Sequence, residues 1–183
     1  MTDSLPLINN CWTLFLDRDG VINKHLPNAY VTSLEEFELI PGSIESIVKL
    51  SKIFGRVIVV TNQQGIGKGL MTTMDLEKIH FYMEEQVAKQ GGKIDSIYYC
   101  PHLAQYKPIC RKPEIGMAMQ AREDYPEIQF HQSVMIGDSP TDMEFGRKLG
   151  SFNVMVSSSN QYLKEDTIDL TVSSLKQFAD LFS

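Results

Sequence analysis

Residues 12–22 read WTLFLDRDGVI. The run WTLFL is too short for a helix and ends on turn residues, so it reads as a buried strand. It stops abruptly at Asp17, Arg18, Asp19 and Gly20, after which Val21 and Ile22 are apolar again. Two carboxylates two residues apart at a strand's end admit two readings. Asp-Gly is a common turn pair; alternatively, the strand carries a reactive carboxylate into a site. The rest of the chain has to choose.

The same pattern recurs in RVIVV (56–60), IDSIYY (94–99), SVMIG (133–137) and FNVMV (152–156). Segments of helical period lie between these runs. Ile44, Ile47 and Val48 share one helix face, as do Leu76, Ile79, Met83 and Val87 within 72–89. Segment 114–125 is expected to be helical up to Tyr125-Pro126, and SPTDMEFGRKLG closes a helix on Gly150. Leu175, Phe178, Ala179 and Phe182 form a last apolar stripe, opened by the capping pair Ser174 and Gln177. Such alternation predicts a central parallel sheet with helices on both faces, a Rossmann-like three-layer α/β sandwich. With no repeat and no linker-like stretch, one domain over residues 1–183 is expected.

In this architecture ligands sit beyond the carboxyl ends of the strands. Asp17 and Asp19 follow the first strand, and Thr61, Asn62 and Gln63 the second. A loop to Arg111-Lys112-Pro113 follows the third, and Gly137-Asp138-Ser139 the fourth. Each has a plain reading by itself: an acidic turn, a helix cap, a solvated lysine. Asp142 reads as the cap of the helix after Ser139-Pro140-Thr141. Turn chemistry alone seldom puts a carboxylate pair, a hydroxyl and amide, a lysine and another carboxylate on four successive strand ends, so the functional reading prevails.

Other features narrow the function by exclusion. GIGKG (65–69) lacks the Ser or Thr of a Walker phosphate loop and the third glycine of a dinucleotide fingerprint, so it is expected to be a flexible turn. His25, His80 and His131 are isolated, and the methionines are scattered. The 183 residues carry 17 Lys and Arg against 23 Asp and Glu, a formal net charge of −6. Long-range attraction to nucleic acid or an anionic membrane is therefore not expected. No apolar stretch approaches the ~20 residues that span a bilayer. The first basic residue is Arg18, unlike a secretory signal. Cys11, Cys100 and Cys110 leave one cysteine unpaired in any disulfide scheme, which points to a reducing, cytoplasmic setting. A monomer is expected.

The gathered residues suit phosphate-ester chemistry. An ordinary carboxylate is ionised at neutral pH, so Asp17 can attack without a base. Its obstacle is repulsion from an anionic phosphate, which magnesium held by hard oxygens removes. Asp17 and Asp138 balance one magnesium ion, and Lys112 and Arg111 balance a dianionic phosphate. That account closes if Asp19 is protonated at attack, serving as general acid and then as base toward water. Thr61 and Asn62 can donate hydrogen bonds to the transferring oxygens.

These residues resemble the motifs of the haloacid dehalogenase (HAD) superfamily of phosphohydrolases. FLDRDGVI looks like its first motif, VVTNQ its second, RKP its third-motif lysine and IGDSPTD its fourth, over residues 14–142. DRDGVIN, YV…FELIPG, VVTNQQGIGKG, YYCPH and CRKPEIGM further resemble the subfamily of heptose-bisphosphate and histidinol-phosphate phosphatases. The resemblance implies a HAD-type sheet without a separate cap domain, and a sugar-phosphate substrate, first of all heptose 1,7-bisphosphate. It implies Asp17 as nucleophile, Asp19 as acid/base, and magnesium on Asp17, the Asp19 carbonyl and Asp138. Thr61 and Lys112 would hold the phosphoryl group, and Arg111 would recognise substrate. Residues 25–28 and 61–64, with His25, Asn28, Asn62, Gln63 and Gln64, would border the pocket.

The subfamily also carries Cys-x-His followed by Cys-x-Cys as a structural zinc site. Here Cys100 and His102 keep the first half, while Pro108, Ile109 and Cys110 supply one thiolate too few. Zinc at Cys100, His102 and Cys110 is therefore set against a loop held by ordinary packing, which is the expectation preferred. Related polynucleotide 3′-phosphatase domains share TNQ and RKP, but the acidic balance counts against nucleic acid. Receiver modules of signalling relays also combine a phosphorylatable Asp with Thr and Lys, but they place that Asp on a later strand.

Overall fold

The computed structural model describes residues 5–26, 29–157 and 166–182. Its sheet contains β1 (Thr13–Leu16), β2 (Arg56–Asn62), β3 (Ser96–Cys100), β4 (Ser133–Gly137), β5 (Phe152–Val156) and β6 (Leu170–Val172). Strand order is β3-β2-β1-β4-β5-β6, with every neighbouring pair parallel. The helices are α1 (Ser43–Leu50), α2 (Thr73–Lys89), α3 (Gly116–Asp124), α4 (Pro140–Leu149) and α5 (Leu175–Ala179).

Successive strand side chains point to opposite faces, and the apolar runs split accordingly. Leu14, Leu16, Val57, Val59, Val134 and Ile136 pack with Ile47, Ile79 and Phe178 from α1, α2 and α5. Phe15, Ile58, Val60 and Met135 pack with Met117, Ala121 and Phe145 from α3 and α4. Both faces are covered, which is why the strands are apolar throughout rather than alternating. Neither the β1–β2 nor the β3–β4 connection adds a second sheet among the described residues. Among the described residues of 19–39 are the bridges Asp19–Asn23 and Asn23–Leu39 and a 3-10 turn over Leu34–Glu36.

The expected elements hold, with adjustments: β3 is shifted from 94–99 to Ser96–Cys100. β2 runs on to Asn62 because Thr61 and Asn62 pair with Tyr99 and Cys100. α3 starts later than expected: Glu114 N–H donates to Arg111 O (2.8 Å) and Gly116 N–H to Ile109 O (2.9 Å), closing the preceding turn instead. β6 carried no sequence signal, because a three-residue edge strand with two half-buried residues and one buried needs no apolar run. Among the described residues, no helix is long and apolar enough to cross a membrane.

Chain direction across the sheet reverses between β1 and β4, so the crevice opens beyond their carboxyl ends. Asp17 N–H donates to Ile136 O (2.9 Å), extending the β1–β4 ladder and fixing Asp17 at the floor of that crevice.

Candidate active site

A cavity of about 460 Å³ opens at this switch point. Its lining includes Asp17, Thr61, Arg111, Lys112 and Asp138, contributed by four different strand ends. His25, Asn62, Gln63 and Gln64 also line it. Asn28 falls outside the described residues.

Lys112 is buried and bridges two carboxylates, with Nζ 2.8 Å from Asp17 Oδ1 and 2.6 Å from Asp142 Oδ1. Burial works against its charge, but Asp142 and Asp17 together hold the lysine pKa above its ordinary value. The backbone at Lys112 is clamped as well. Asn62 Oδ1 accepts from Lys112 N–H (3.0 Å), and Asn62 Nδ2 donates to Lys112 O (3.1 Å). The amide expected to reach the transferring oxygens is thus a strut for the lysine loop. Thr61 is buried, and its Oγ1 accepts from Gln63 Nε2 (2.9 Å), leaving the hydroxyl proton free to donate into the cavity.

Asp142 has two roles. Oδ2 accepts from Ser139 N–H (3.1 Å) and from the Ser139 hydroxyl (2.5 Å), which is the expected cap of α4. Oδ1 is the second partner of Lys112. One oxygen from each of Asp17, Asp138 and Asp142 lies within 4.8 Å of the others, a hard-oxygen cluster suited to a divalent cation. Burial first, then Asp142 and Asp138, pushes Asp17 up to about 8 against the pull of Lys112. Burial and then Asp142 raise Asp138 to about 6. Crowded carboxylates that resist ionisation are relieved by a cation, so the donor set fits magnesium. Gly20 (φ +86°) lets the chain turn beside this cluster, where any Cβ would fall 1.8 Å from Asp138 Oδ2.

Asp19 departs from the charge account drawn from the sequence. Arg18 NH2 donates to Oδ1 (2.8 Å) and Oδ2 (2.9 Å), Asn23 Nδ2 to Oδ1 (2.9 Å) and Gln63 Nε2 to Oδ2 (2.8 Å). Burial opposes ionisation, but the Arg18 guanidinium and these donors prevail and hold Asp19 below the ordinary carboxylate range. In this arrangement Asp19 favours its carboxylate form. Arg18 is fully buried, lies 5.7 Å from the Phe37 ring centroid, and has NH1 3.4 Å from His80 Nε2. Burial and the neighbouring Arg18 push His80 down to about 3, so it is neutral and can accept from that guanidinium.

The loop expected to be held by ordinary packing carries a covalent link as well. Cys100 closes β3, the turn returns Cys110 to a Cα separation of 5.3 Å, and the two sulfurs are bonded to each other. A disulfide has no thiolate to offer a metal, and the exposed His102 belongs to no group of three potential ligands among the described residues. In this arrangement the loop has a covalent tether in addition to its packing, and Cys11 is a free thiol.

Arg18, Asn23, Tyr30 and Lys68 are site residues that the sequence reading did not assign. Only Arg18 left a signal: a basic residue inside a buried run, flanked by acids, needs a charged partner close by.

A HAD-hydrolase-like family model matches residues 109–177, the part that carries Arg111, Lys112, Asp138 and Asp142. The D-glycero-beta-D-manno-heptose-1,7-bisphosphate 7-phosphatase of Pseudomonas putida is 42% identical over 143 residues, covering 78% of this chain and 81% of that protein. The D-glycero-alpha-D-manno-heptose-1,7-bisphosphate 7-phosphatase of Mycobacterium bovis is 38% identical over 140 residues, covering 76% and 74%. The crystal structure of D,D-heptose 1,7-bisphosphate phosphatase from B. bronchiseptica, complexed with magnesium and phosphate, matches with a TM-score of 0.84 and 30% identity over 93% of this chain and 97% of that one. Identity of this extent across most of both chains, on a matching fold, shows that the chain is a haloacid-dehalogenase-like phosphatase, a member of the family that holds the heptose-1,7-bisphosphate 7-phosphatases.

Proposed function

We propose that the chain removes the 7-phosphate of D-glycero-D-manno-heptose 1,7-bisphosphate through a phosphoryl group carried on Asp17. The observation supporting this most directly is the placement of Asp17, on the cavity floor with its Oδ1 held by Lys112 and its other oxygen free of that ion pair. The names of the relatives favour the heptose substrate over histidinol phosphate. Asp17 and Asp138, with the Asp19 carbonyl, would hold magnesium, which would supply the positive charge that lets a carboxylate approach a phosphate dianion.

An Asp17 oxygen forms the new bond to phosphorus while the bond from phosphorus to the sugar oxygen breaks. Lys112 and the Thr61 hydroxyl donate to the phosphoryl oxygens as charge moves onto them. Asp19 gives a proton to the leaving sugar oxygen, then takes one from the water that attacks the acyl phosphate and restores Asp17. The negative charge of an incoming phosphate raises the Asp19 pKa, working against Arg18 and toward the acid form needed for the first step. Asn62 and Gln63 support this machinery indirectly, through Lys112 and Asp19. Rapid acid quench with substrate labelled at the 7-phosphate should trap label on Asp17, and Asp17→Asn should abolish both label and turnover. Near-normal turnover by Asp17→Asn would remove the assignment.

A further inference from the structure

His80 is isolated along the chain, and the steps above give it no task. α2 buries Leu76, Ile79, Met83 and Val87, and His80 is the one polar side chain of that helix buried with them. An apolar residue would fill such a position without taking an imidazole out of water, so the ring needs a partner that justifies it. Its Nε2 lies 3.4 Å from Arg18 NH1, a contact from α2 to the end of β1. The neutral ring accepts there in the tautomer with its proton on Nδ1. Tyr99 of β3 packs against the ring, with centroids 6.0 Å apart and planes at 62°.

Arg18 needs such a hold. It is wholly buried, and its Nε has no hydrogen-bond partner among the described residues. NH2 alone serves both oxygens of Asp19, at 2.8 and 2.9 Å. A guanidinium that grips a carboxylate through one nitrogen can swing about it unless a second contact fixes the plane. His80 supplies that contact at NH1, while Phe37 lies 5.7 Å from the guanidinium and packs edge-on against Tyr82 of α2 (6.3 Å, 89°). Asn23 and Gln63 each reach a single oxygen of Asp19, so neither replaces Arg18.

We infer that His80 is a positioning residue for proton transfer: it fixes the Arg18 guanidinium, which in turn sets how Asp19 faces the leaving oxygen. The inference rests on the phosphatase reading above, in which Asp19 protonates that oxygen. The demand then falls on one step. A sugar alkoxide needs the proton as it departs, whereas p-nitrophenolate is stable as an anion and departs without one.

The test measures kcat/KM, which covers phosphoryl transfer to Asp17, for wild type, His80→Leu and His80→Gln. The substrates are heptose 1,7-bisphosphate, fructose 1,6-bisphosphate and p-nitrophenyl phosphate. Leucine fills the space without an acceptor, and glutamine brings an amide oxygen to the neighbourhood of Nε2. His80→Leu should lower kcat/KM on a sugar ester by about 10-fold, part of the 10² to 10⁴ that acid–base help is typically worth, and on the aryl ester by about twofold. His80→Gln should recover most of the loss. Equal losses on sugar and aryl esters, no loss on the sugar esters, or His80→Gln no better than His80→Leu would overturn the positioning role. If His80→Leu does not fold, His80→Val takes its place in the same comparison. If wild type does not turn over the aryl ester, the contrast between His80→Leu and His80→Gln decides. Selective loss on the fructose ester, with the heptose compound not hydrolysed, would uphold the role and overturn the heptose reading. A wild type inactive on both sugar esters would overturn both.

Discussion

Asp142→Asn separates the two roles that the structure gives to one side chain. Asparagine keeps an oxygen for the Ser139 cap but turns an amide N–H toward Lys112 Nζ, donor against donor, where Oδ1 now sits at 2.6 Å. Breaking a buried ion pair costs about 3–5 kcal/mol when the other charge is left alone. Lys112 keeps Asp17 at 2.8 Å. The loss is then that of one charged hydrogen bond, about 1.5–3 kcal/mol, or roughly 3–12 °C in Tm for a chain of this size. Turnover should suffer more: a displacement on the order of 1 Å in a group holding the reacting phosphoryl costs about 10²-fold. The assay is kcat for phosphate release at saturating magnesium, with Tm measured in the same buffer and Ser139→Ala alongside. Ser139→Ala weakens the cap by about 0.5–2 kcal/mol without touching Lys112, and should leave kcat within about twofold. If Asp142→Asn matched Ser139→Ala in both readouts, Asp142 would be a cap and nothing more.

Three further outcomes are expected. Asp17 raised to about 8 and Asp138 to about 6 bind protons in competition with a cation, so apparent magnesium affinity should rise from about pH 5 to about pH 8. In the metal-free protein the folded chain holds the Asp17 proton that the unfolded chain releases near pH 4, so this contribution to stability is lost as pH rises through about 8. Thermal shifts of wild type and Asp17→Asn with and without magnesium check both signs, and a flat dependence would contradict them. Arg18→Gln removes the main opposing charge from buried Asp19, so kcat should fall by about 10- to 100-fold and the acid limb of its pH profile should move to higher pH. An unmoved acid limb would show that Arg18 is structural only. Cys110→Ser opens a tether spanning 10 residues and should cost about 2–3 kcal/mol, read as a lower denaturant midpoint than oxidised wild type. Equal midpoints would mean that the loop is held by its packing.

The sequence by itself determined the five long strands, their alternation with helices, and the strand ends that carry chemistry. Each of these is written in residues close together along the chain. Apolar runs bounded by turn residues mark β1, β2, β4 and β5, and the Ser139–Asp142 pair marks the start of α4. Parallel topology then gathers the strand ends without further information. The tertiary structure alone decided which side chains answer one another. Asp142 as a partner of Lys112, Gln63 as a donor to Asp19, and Asn62 as a strut all depend on contacts between segments brought side by side by the order β3-β2-β1-β4. The bond between Cys100 and Cys110 and the closing of the GIGKG turn onto Tyr30 are of the same kind. Local pattern fixes where a polar group stands, but burial makes that group find a partner, and which partner is within reach is a matter of strand order and loop closure rather than spacing along the chain.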